Sequence, residues 1–365
     1  MLGIGVTGMS AIARVLLGRG VAVSGSDKLA GPETAGLSRR GAKIFIGHDE
    51  NHIAGAEIVV RSSAVPDQNP EVAAARAQQI QVLKRADFLG RLMTDQTGIA
   101  VTGTHGKTTT SSLIAWLLHC AGMGVSFVIG GILANFNSNY YLGTGDTLVV
   151  EGDEYDTAFF DKGPKFMHYD PDSAVLTGVE FDHADIFSDL DHIKKAFSTF
   201  VSGLRSETTL LAFQPDSNVD HVIRTSAGHV HRYGSHGDDW AIKPVHIDPP
   251  WTFFDVSRSQ DHYGRFQTPM PGEHNLLNTL AAIAVADRLN IPKQTIQAAL
   301  KSFKGVKRRQ EVRGTKNGVI VIDDFAHHPT AVRKTIQAIK GYYQENRLVA
   351  VFEPRTNTSM RNIFQ

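Results

Sequence analysis

The sequence predicts an α/β protein of two or three domains, and three observations carry that expectation. First, 365 residues exceed what one hydrophobic core usually serves. Second, short apolar strand-like runs alternate with helical stretches, a pattern that implies parallel sheets with crossover helices. Third, two glycine-rich loops each lie between such a strand and the helix that follows it.

Composition narrows the class. Lys plus Arg is 37 and Asp plus Glu is 37, so the formal net charge is zero. That balance argues against a nucleic-acid partner or an anionic membrane surface. Apolar residues make up 42% and charged residues 20%, as in folded globular chains. No apolar run approaches the roughly 20 residues of a membrane helix. Cys120 is the only cysteine, which excludes an intramolecular disulfide framework. A cytoplasmic location follows as the expectation, and Cys120 itself reads as a core thiol.

Within residues 1–94, strands are expected at Leu2–Ile4, Val21–Ser24, Lys43–Ile46 and Glu57–Arg61, with helices at Ser10–Leu17 and Pro70–Gln78. Residues 95–310 form a second series. It runs through the strand Gly98–Thr102, the helix Thr109–His119, and the strands Thr147–Val150 and Ala174–Thr177. Short strands and loops fill Ser206–Phe266, and helices follow at His274–Leu289 and Lys293–Phe303. Residues 311–365 begin a third unit with a strand at Gly318–Ile322, a helix after Pro329 and a strand at Arg347–Phe352. This unit reads as truncated, because so few residues bury little core of their own.

The first loop, Gly3-Ile4-Gly5-Val6-Thr7-Gly8, fits G-x-G-x-x-G, with Asp27 at the end of the next strand. Glycines let backbone amides approach a diphosphate, the helix N-terminus favours its charge, and the acid can take a ribose hydroxyl. A dinucleotide, another nucleotide diphosphate and a plain tight turn all remain open on this motif. The second loop, Gly103-Thr104-His105-Gly106-Lys107-Thr108-Thr109-Thr110, is sharper. Its amides can wrap a triphosphate, Lys107 can neutralise β/γ oxygens, and the Thr108 hydroxyl can hold Mg²⁺. The strict pattern has a glycine where this chain has Val101, so the loop is a shortened variant, and ATP is the expected nucleotide.

Such a loop needs a carboxylate from a neighbouring strand end to complete a metal shell. Glu151, in the acid run Glu151-Gly152-Asp153-Glu154, fits that need, and His183 stands at the end of the next strand in Glu180–Asp185. Both belong to the strand rim where open α/β sheets bind ligands. Asp153 and Asp185 read equally well as helix caps. The cluster Asp323-Asp324-Phe325-Ala326-His327-His328-Pro329 carries more acids and imidazoles than a cap requires.

Together these motifs resemble those of the Mur ligase family, ATP-dependent amide-forming enzymes of peptidoglycan assembly. The ordered set comprises Gly103–Thr110, Glu151–Asp156, Glu180–Asp185, Gly272-Glu273-His274-Asn275 with Asn278, Lys307-Arg308-Arg309 and Asp323–Pro329. The resemblance implies a Rossmann-like N-terminal domain, a central P-loop ATPase-type α/β domain and a truncated C-terminal Rossmann-like domain. It implies that Gly5, Gly8, Asp27 and Ser63 cradle a UDP-sugar. ATP would be held by Gly103, Thr104, His105, Gly106, Lys107, Thr108 and Thr109, with His274, Asn275, Asn278, Arg309 and Asp324. Mg²⁺ would be held by Thr108, Glu151 and His183, with Lys107, Glu151 and His183 as the catalytic groups. A dehydrogenase would explain Gly3–Asp27 but leave the second loop idle.

Two members of the family act on UDP-N-acetylmuramate. One adds L-alanine, and the other attaches the tripeptide L-alanyl-γ-D-glutamyl-meso-diaminopimelate. Gly3–Ser10, Ser24–Asp27, Gly41–Gly47 and Ser62–Pro66 look like the first, although Val6 replaces a usual glycine. Glu151–Lys162, Phe181–Phe187, Asp323–Pro329 and Glu353–Thr358 look like the second. The second group is longer and nearer the chemistry, so the tripeptide is the expected amine and L-alanine the alternative.

Overall fold

A computed structural model describes residues 1–354 except 63, 155, 159, 160, 185, 237 and 238. Ser63, Asp185, and parts of the quoted segments Glu151–Lys162 and Glu353–Thr358 therefore lie outside the described residues.

The chain opens with α1 (Thr7–Gly18), β1 (Ser24–Asp27), α2 (Pro32–Ser38), β2 (Lys43–Ile46), β3 (Ile58–Arg61), α3 (Pro70–Ala77), β4 (Gln81–Lys84) and α4 (Arg85–Met93). β1 pairs with β2 and β3 with β4, both in parallel, while Leu2 bridges Ser26 on one side and Arg61 on the other. Leu2 is thus the centre of a parallel array. The strand expected at Leu2–Ile4 shrinks to this one residue because Gly3, at φ +70°, turns the backbone at once. The strand expected at Val21–Ser24 forms three residues later: Val21 stays exposed, and Gly25 and Ser26 are buried. Short α2, β4 and α4 were not expected.

The central part contains β5 (Thr97–Thr102), α5 (Lys107–Cys120), β6 (Ser126–Leu133), β7 (Ser138–Tyr141), β8 (Thr147–Gly152), β9 (Asp156–Ala158), β10 (Asp161–Pro164), β11 (Ser173–Leu176) and α6 (Leu190–Ser202). It continues through β12 (Thr209–Gln214), α7 (Ser217–Ile223), β13 (His229–Gly234), β14 (Trp240–Asp248), β15 (Trp251–Arg258), β16 (Asp261–Thr268), α8 (Glu273–Arg288) and α9 (Lys293–Ser302). A ten-stranded sheet has the order β16-β15-β14-β13-β12-β11-β5-β8-β6-β7. Strands β14 to β6 in that order run parallel, and β15, β16 and β7 are antiparallel additions at the edges.

β5 and β8 are buried almost throughout, as a parallel sheet covered on both faces requires. α5 packs with α8 and α9 over one face in a core that includes Leu113, Phe127, Leu280 and Phe303. The opposite face is covered by α1 and α6, among others, around Phe166, Phe197 and Val150. The segment Ser206–Phe266 departs from its expectation, since β14, β15 and β16 are long strands. Their alternating burial, intermediate then buried along Trp251–Arg258, gives one solvated face and hence the polar composition. Cys120 is a second departure: it ends α5 and is exposed, not a core thiol.

Beyond α9, β17 (Glu311–Lys316) and β18 (Val319–Asp323) form an antiparallel pair, followed by α10 (Pro329–Tyr342). Arg347–Phe352 forms no strand. An all-apolar strand needs neighbours on both sides, and Val351 here is 94% exposed. Among the described residues, no helix is long and apolar enough to cross a membrane.

Candidate active site

β5 lies between β11 and β8, so the loop leaving its carboxyl end opens where two neighbouring strands end in acids. Gly103 and Gly106 adopt φ of +119° and +79°, and Gly106 caps α5. Side chains are excluded at both positions. A Cβ on Gly106 would lie 2.4 Å from Asn278 Oδ1, and one on Gly103 2.5 Å from Thr177 Oγ1. The backbone therefore bends tightly around the start of a helix with no acid in its first turn, an arrangement suited to an anion.

Lys107 is buried at the loop's centre. Its Nζ donates to Gly103 O at 2.7 Å, Thr104 O at 3.3 Å and Glu154 Oε2 at 2.6 Å. Burial alone would lower its pKa, but Glu154, Asp153 and Glu151 outweigh it and hold the ammonium above its ordinary value. Glu154 answers in the opposite sense: burial would raise it, yet Lys107 and His183 keep it ionised. Glu154 was read only as one of a run of acids. Nothing in the sequence distinguished it as the partner of Lys107.

Thr108 Oγ1 donates to Glu151 Oε1 at 2.8 Å, and the Gly130 amide donates to Glu151 Oε2 at 2.6 Å. Burial, with Asp153 reinforcing it, pushes the Glu151 carboxyl upward. Asp153 pairs with Lys165 at 2.5 Å, which drives its pKa down to about 2 despite burial. His183, in the left-handed region at φ +53°, faces Glu154 Oε1 at 3.4 Å. Burial would lower its pKa, but Glu154 and Asp182 raise it on balance. Thr108 thus meets Glu151, while Glu154 meets both Lys107 and His183, so Glu151 and His183 are each paired with a different neighbour. The hydroxyl and carboxylate oxygens are of the kind that a hard divalent cation takes.

The first two turns of α8 bring His274, Asn275 and Asn278 over the loop. Asn278 Oδ1 accepts from Thr110 Oγ1 at 3.2 Å, and Asn275 Nδ2 donates to Gln310 Oε1 at 3.0 Å. Burial, aided by Lys334, lowers the His274 pKa to about 4, so its ring is neutral. Gln310 was not singled out in the sequence. It touches His274 at 3.2 Å, and its amide donates to Asp324 Oδ2 at 2.8 Å. Arg309 reaches Thr108 Oγ1 at 3.5 Å, and its guanidinium lies over the Phe325 ring.

His328 caps α10 by accepting from the Thr330 amide, so one member of the Asp323–Pro329 cluster does serve as a helix cap. It also binds Phe181 O at 3.1 Å and sits 3.6 Å from Glu180, which pairs with His105 at 3.2 Å. That His105 pairing is the main cause holding the Glu180 pKa at about 2.

A cavity of about 500 Å³ joins these groups. Thr104 through Thr109, Glu151, His183, His274, Asn275, Asn278, Arg309 and Asp324 all line it, and Phe213, Tyr233 and Leu277 add apolar surface. Gly103 lies just behind it in the same loop. Gly5, Gly8 and Asp27 lie elsewhere, at the carboxyl edge of the first sheet, where the Gly5 amide donates to Asp27 Oδ2 at 2.8 Å.

Residues 1–97 match the model of the Mur ligase family catalytic domain, 101–286 the Mur ligase middle domain, and 308–365 the Mur ligase glutamate ligase domain. The UDP-N-acetylmuramate–L-alanine ligase of Acidithiobacillus ferrooxidans is 40% identical over 100% of this chain and 78% of its own length. The enzyme of that name from Geobacter sp. (strain M21) is likewise 40% identical with the same coverage. Among solved structures, a murein peptide ligase from Psychrobacter arcticus superposes with TM-score 0.76 at 32% identity, covering 98% of this chain and 78% of that one. The UDP-N-acetylmuramate-alanine ligase of Thermotoga maritima gives 0.75 at 28% identity, covering 94% and 77%.

Proposed function

The chain belongs to the Mur ligase family and is an ATP-dependent amide-forming ligase of peptidoglycan synthesis; from that premise, we propose that it joins L-alanine to the lactyl carboxylate of UDP-N-acetylmuramate. The observation that supports L-alanine is the 40% identity, over the whole chain, to relatives bearing that activity in their names. This reverses the expectation of a tripeptide drawn from the central signatures. The tripeptide stays as the second reading, favoured by the likeness to the Psychrobacter arcticus structure at 32% identity.

In this reading residues 1–94 bind the UDP-sugar, 95–310 bind ATP and 311–365 belong to the amine-binding domain. A free carboxylate is a poor electrophile. Its oxygen attacks the γ-phosphorus of ATP, ADP leaves, and the resulting acyl phosphate is attacked by the amine with loss of phosphate. The obstacle is repulsion between two anions brought together. Lys107 offsets it at the β/γ-phosphates by turning from Glu154 to phosphate oxygens, in a buried site where each charge counts for more.

Thr108, Glu151 and His183 would hold Mg²⁺, which when bound supplies further positive charge where the anions meet. Asn275 and Asn278 orient the nucleotide from α8, Arg309 reaches the phosphates, and Asp324 takes the ATP ribose. Arg309 and Asp324 stand on either side of Gln310, so all three act together when the third unit closes on the cavity.

The test is phosphate release with ATP, Mg²⁺ and UDP-N-acetylmuramate, comparing L-alanine with the tripeptide. Release with L-alanine alone is the expected result. Release with the tripeptide alone would reverse the assignment of the amine, and silence with both would remove the UDP-sugar.

A further inference from the structure

The seam between the first sheet and the central one holds an arginine that belongs to neither glycine loop. Arg85 is the first residue of α4, immediately after β4, and is half-buried. Its guanidinium rests on the first loop. A Cβ built on Gly8 would stand 1.8 Å from Arg85 Nη1, so the glycine is what admits the arginine there. Gly8 is the second residue of α1, a helix that starts without a side-chain cap and without an acid in its first turn. Two positive features, a guanidinium and the amide end of a helix, are therefore set against each other.

Among the described residues, no hydrogen-bond acceptor or ion-pair partner is set against the guanidinium. The nearby carboxylates are committed elsewhere: Asp27 to the Gly5 amide at 2.8 Å, and Asp153 to Lys165 at 2.5 Å. Asp153 feels the charge of Arg85, so the guanidinium that rests on the first loop is also within electrostatic reach of the acids around Lys107. A planar guanidinium matches phosphate oxygens two at a time, and an anion shared with helix amides turns the repulsion into attraction.

We propose that Arg85 is a positioning residue for the diphosphate of the UDP-sugar, clamping it against the start of α1 so that the sugar extends toward Lys107. This rests on the UDP-sugar reading above. A diphosphate carries enough charge to satisfy both the guanidinium and the amides, which a single carboxylate does not.

The experiment is calorimetric titration of wild type, Arg85→Ala and Arg85→Lys with UDP, with uridine as a competitor and with a non-hydrolysable ATP analogue. In Arg85→Ala, UDP affinity should fall roughly 10- to 100-fold, the range of a charged hydrogen bond. Uridine and the ATP analogue should bind as in wild type, and Arg85→Lys should recover part of the loss. Undiminished UDP binding by Arg85→Ala overturns the proposal alone, as does an equal loss for UDP and uridine, which marks a structural lesion. A wild type that binds ATP analogue but no UDP overturns the UDP-sugar reading and this proposal with it.

Discussion

The two glycine loops share a backbone plan and differ in their charges. Each leaves the carboxyl end of a central parallel strand and enters a helix without an acidic first turn. The second carries its own cation, Lys107, enclosed by Glu151, Asp153 and Glu154. The first carries no cation; Asp27 already accepts from its Gly5 amide, and its positive charge comes from Arg85 of a different helix. On the proposed reading, a loop with an embedded lysine and strand-end acids serves a metal and a reacting phosphate. On the same reading, a loop with a borrowed arginine holds a phosphate that does not react.

Substitutions in the two loops should therefore separate turnover from binding. Lys107→Ala has the largest expected effect. Phosphate release should fall by roughly 10³-fold with UDP affinity unchanged in titration, because removing a preorganised donor to developing charge costs on that order. Equal damage to both sites would break the contrast.

Gly106→Ala comes next. Its Cβ meets Asn278 Oδ1 at 2.4 Å and its φ is +79°, so a loss of about 2 kcal/mol should appear in denaturant unfolding. Gly41→Ala has comparable φ, +96°, but nothing within 4 Å, and should lose only about 1 kcal/mol. Asp27→Asn, beside the other loop, should weaken UDP roughly 10-fold in titration while leaving the Michaelis constant for ATP unchanged.

The smallest effect concerns pH. His274 has a folded pKa of about 4, below the 6.5 of a free imidazole, so the unfolded chain takes up its proton first. Stability from this group is complete above pH 6.5 and lost as pH falls from 6.5 toward 4. His274→Gln should flatten that slope by about 1 kcal/mol at pH 5.5, read from paired denaturant curves at pH 5.5 and 7.5.

Much of this arrangement was legible in the sequence because glycine spacing and strand-end acids are local signals. The loop around Lys107, Glu151 and the first turn of α8 could be read directly, since each sits beside the strand or helix that aims it. What could not be read depends on long-range packing. Glu154 rather than Glu151 or Asp153 faces Lys107 because of how the end of β8 turns. Gln310 and His328 meet the central unit only once the segment after α9 folds back across it. Arg85 belongs to no motif, and only the crowding above Gly8 reveals it. The hairpin strands β14–β16 were under-read because a half-exposed sheet face looks like loop composition.

The three hydrogen bonds of Lys107 have a consequence for selectivity. Its donors are spent on two loop carbonyls and Glu154, so a phosphate oxygen reaches Nζ only by ejecting one of these acceptors. A lone small anion gains one contact and forfeits another, close to an even trade. A triphosphate arriving with a cation gains several at once, and the cation gives Glu154 a new counter-charge. On the proposed reading the loop sets a threshold that polyphosphate crosses and stray phosphate does not, a filter written into the side chain assigned to the reaction.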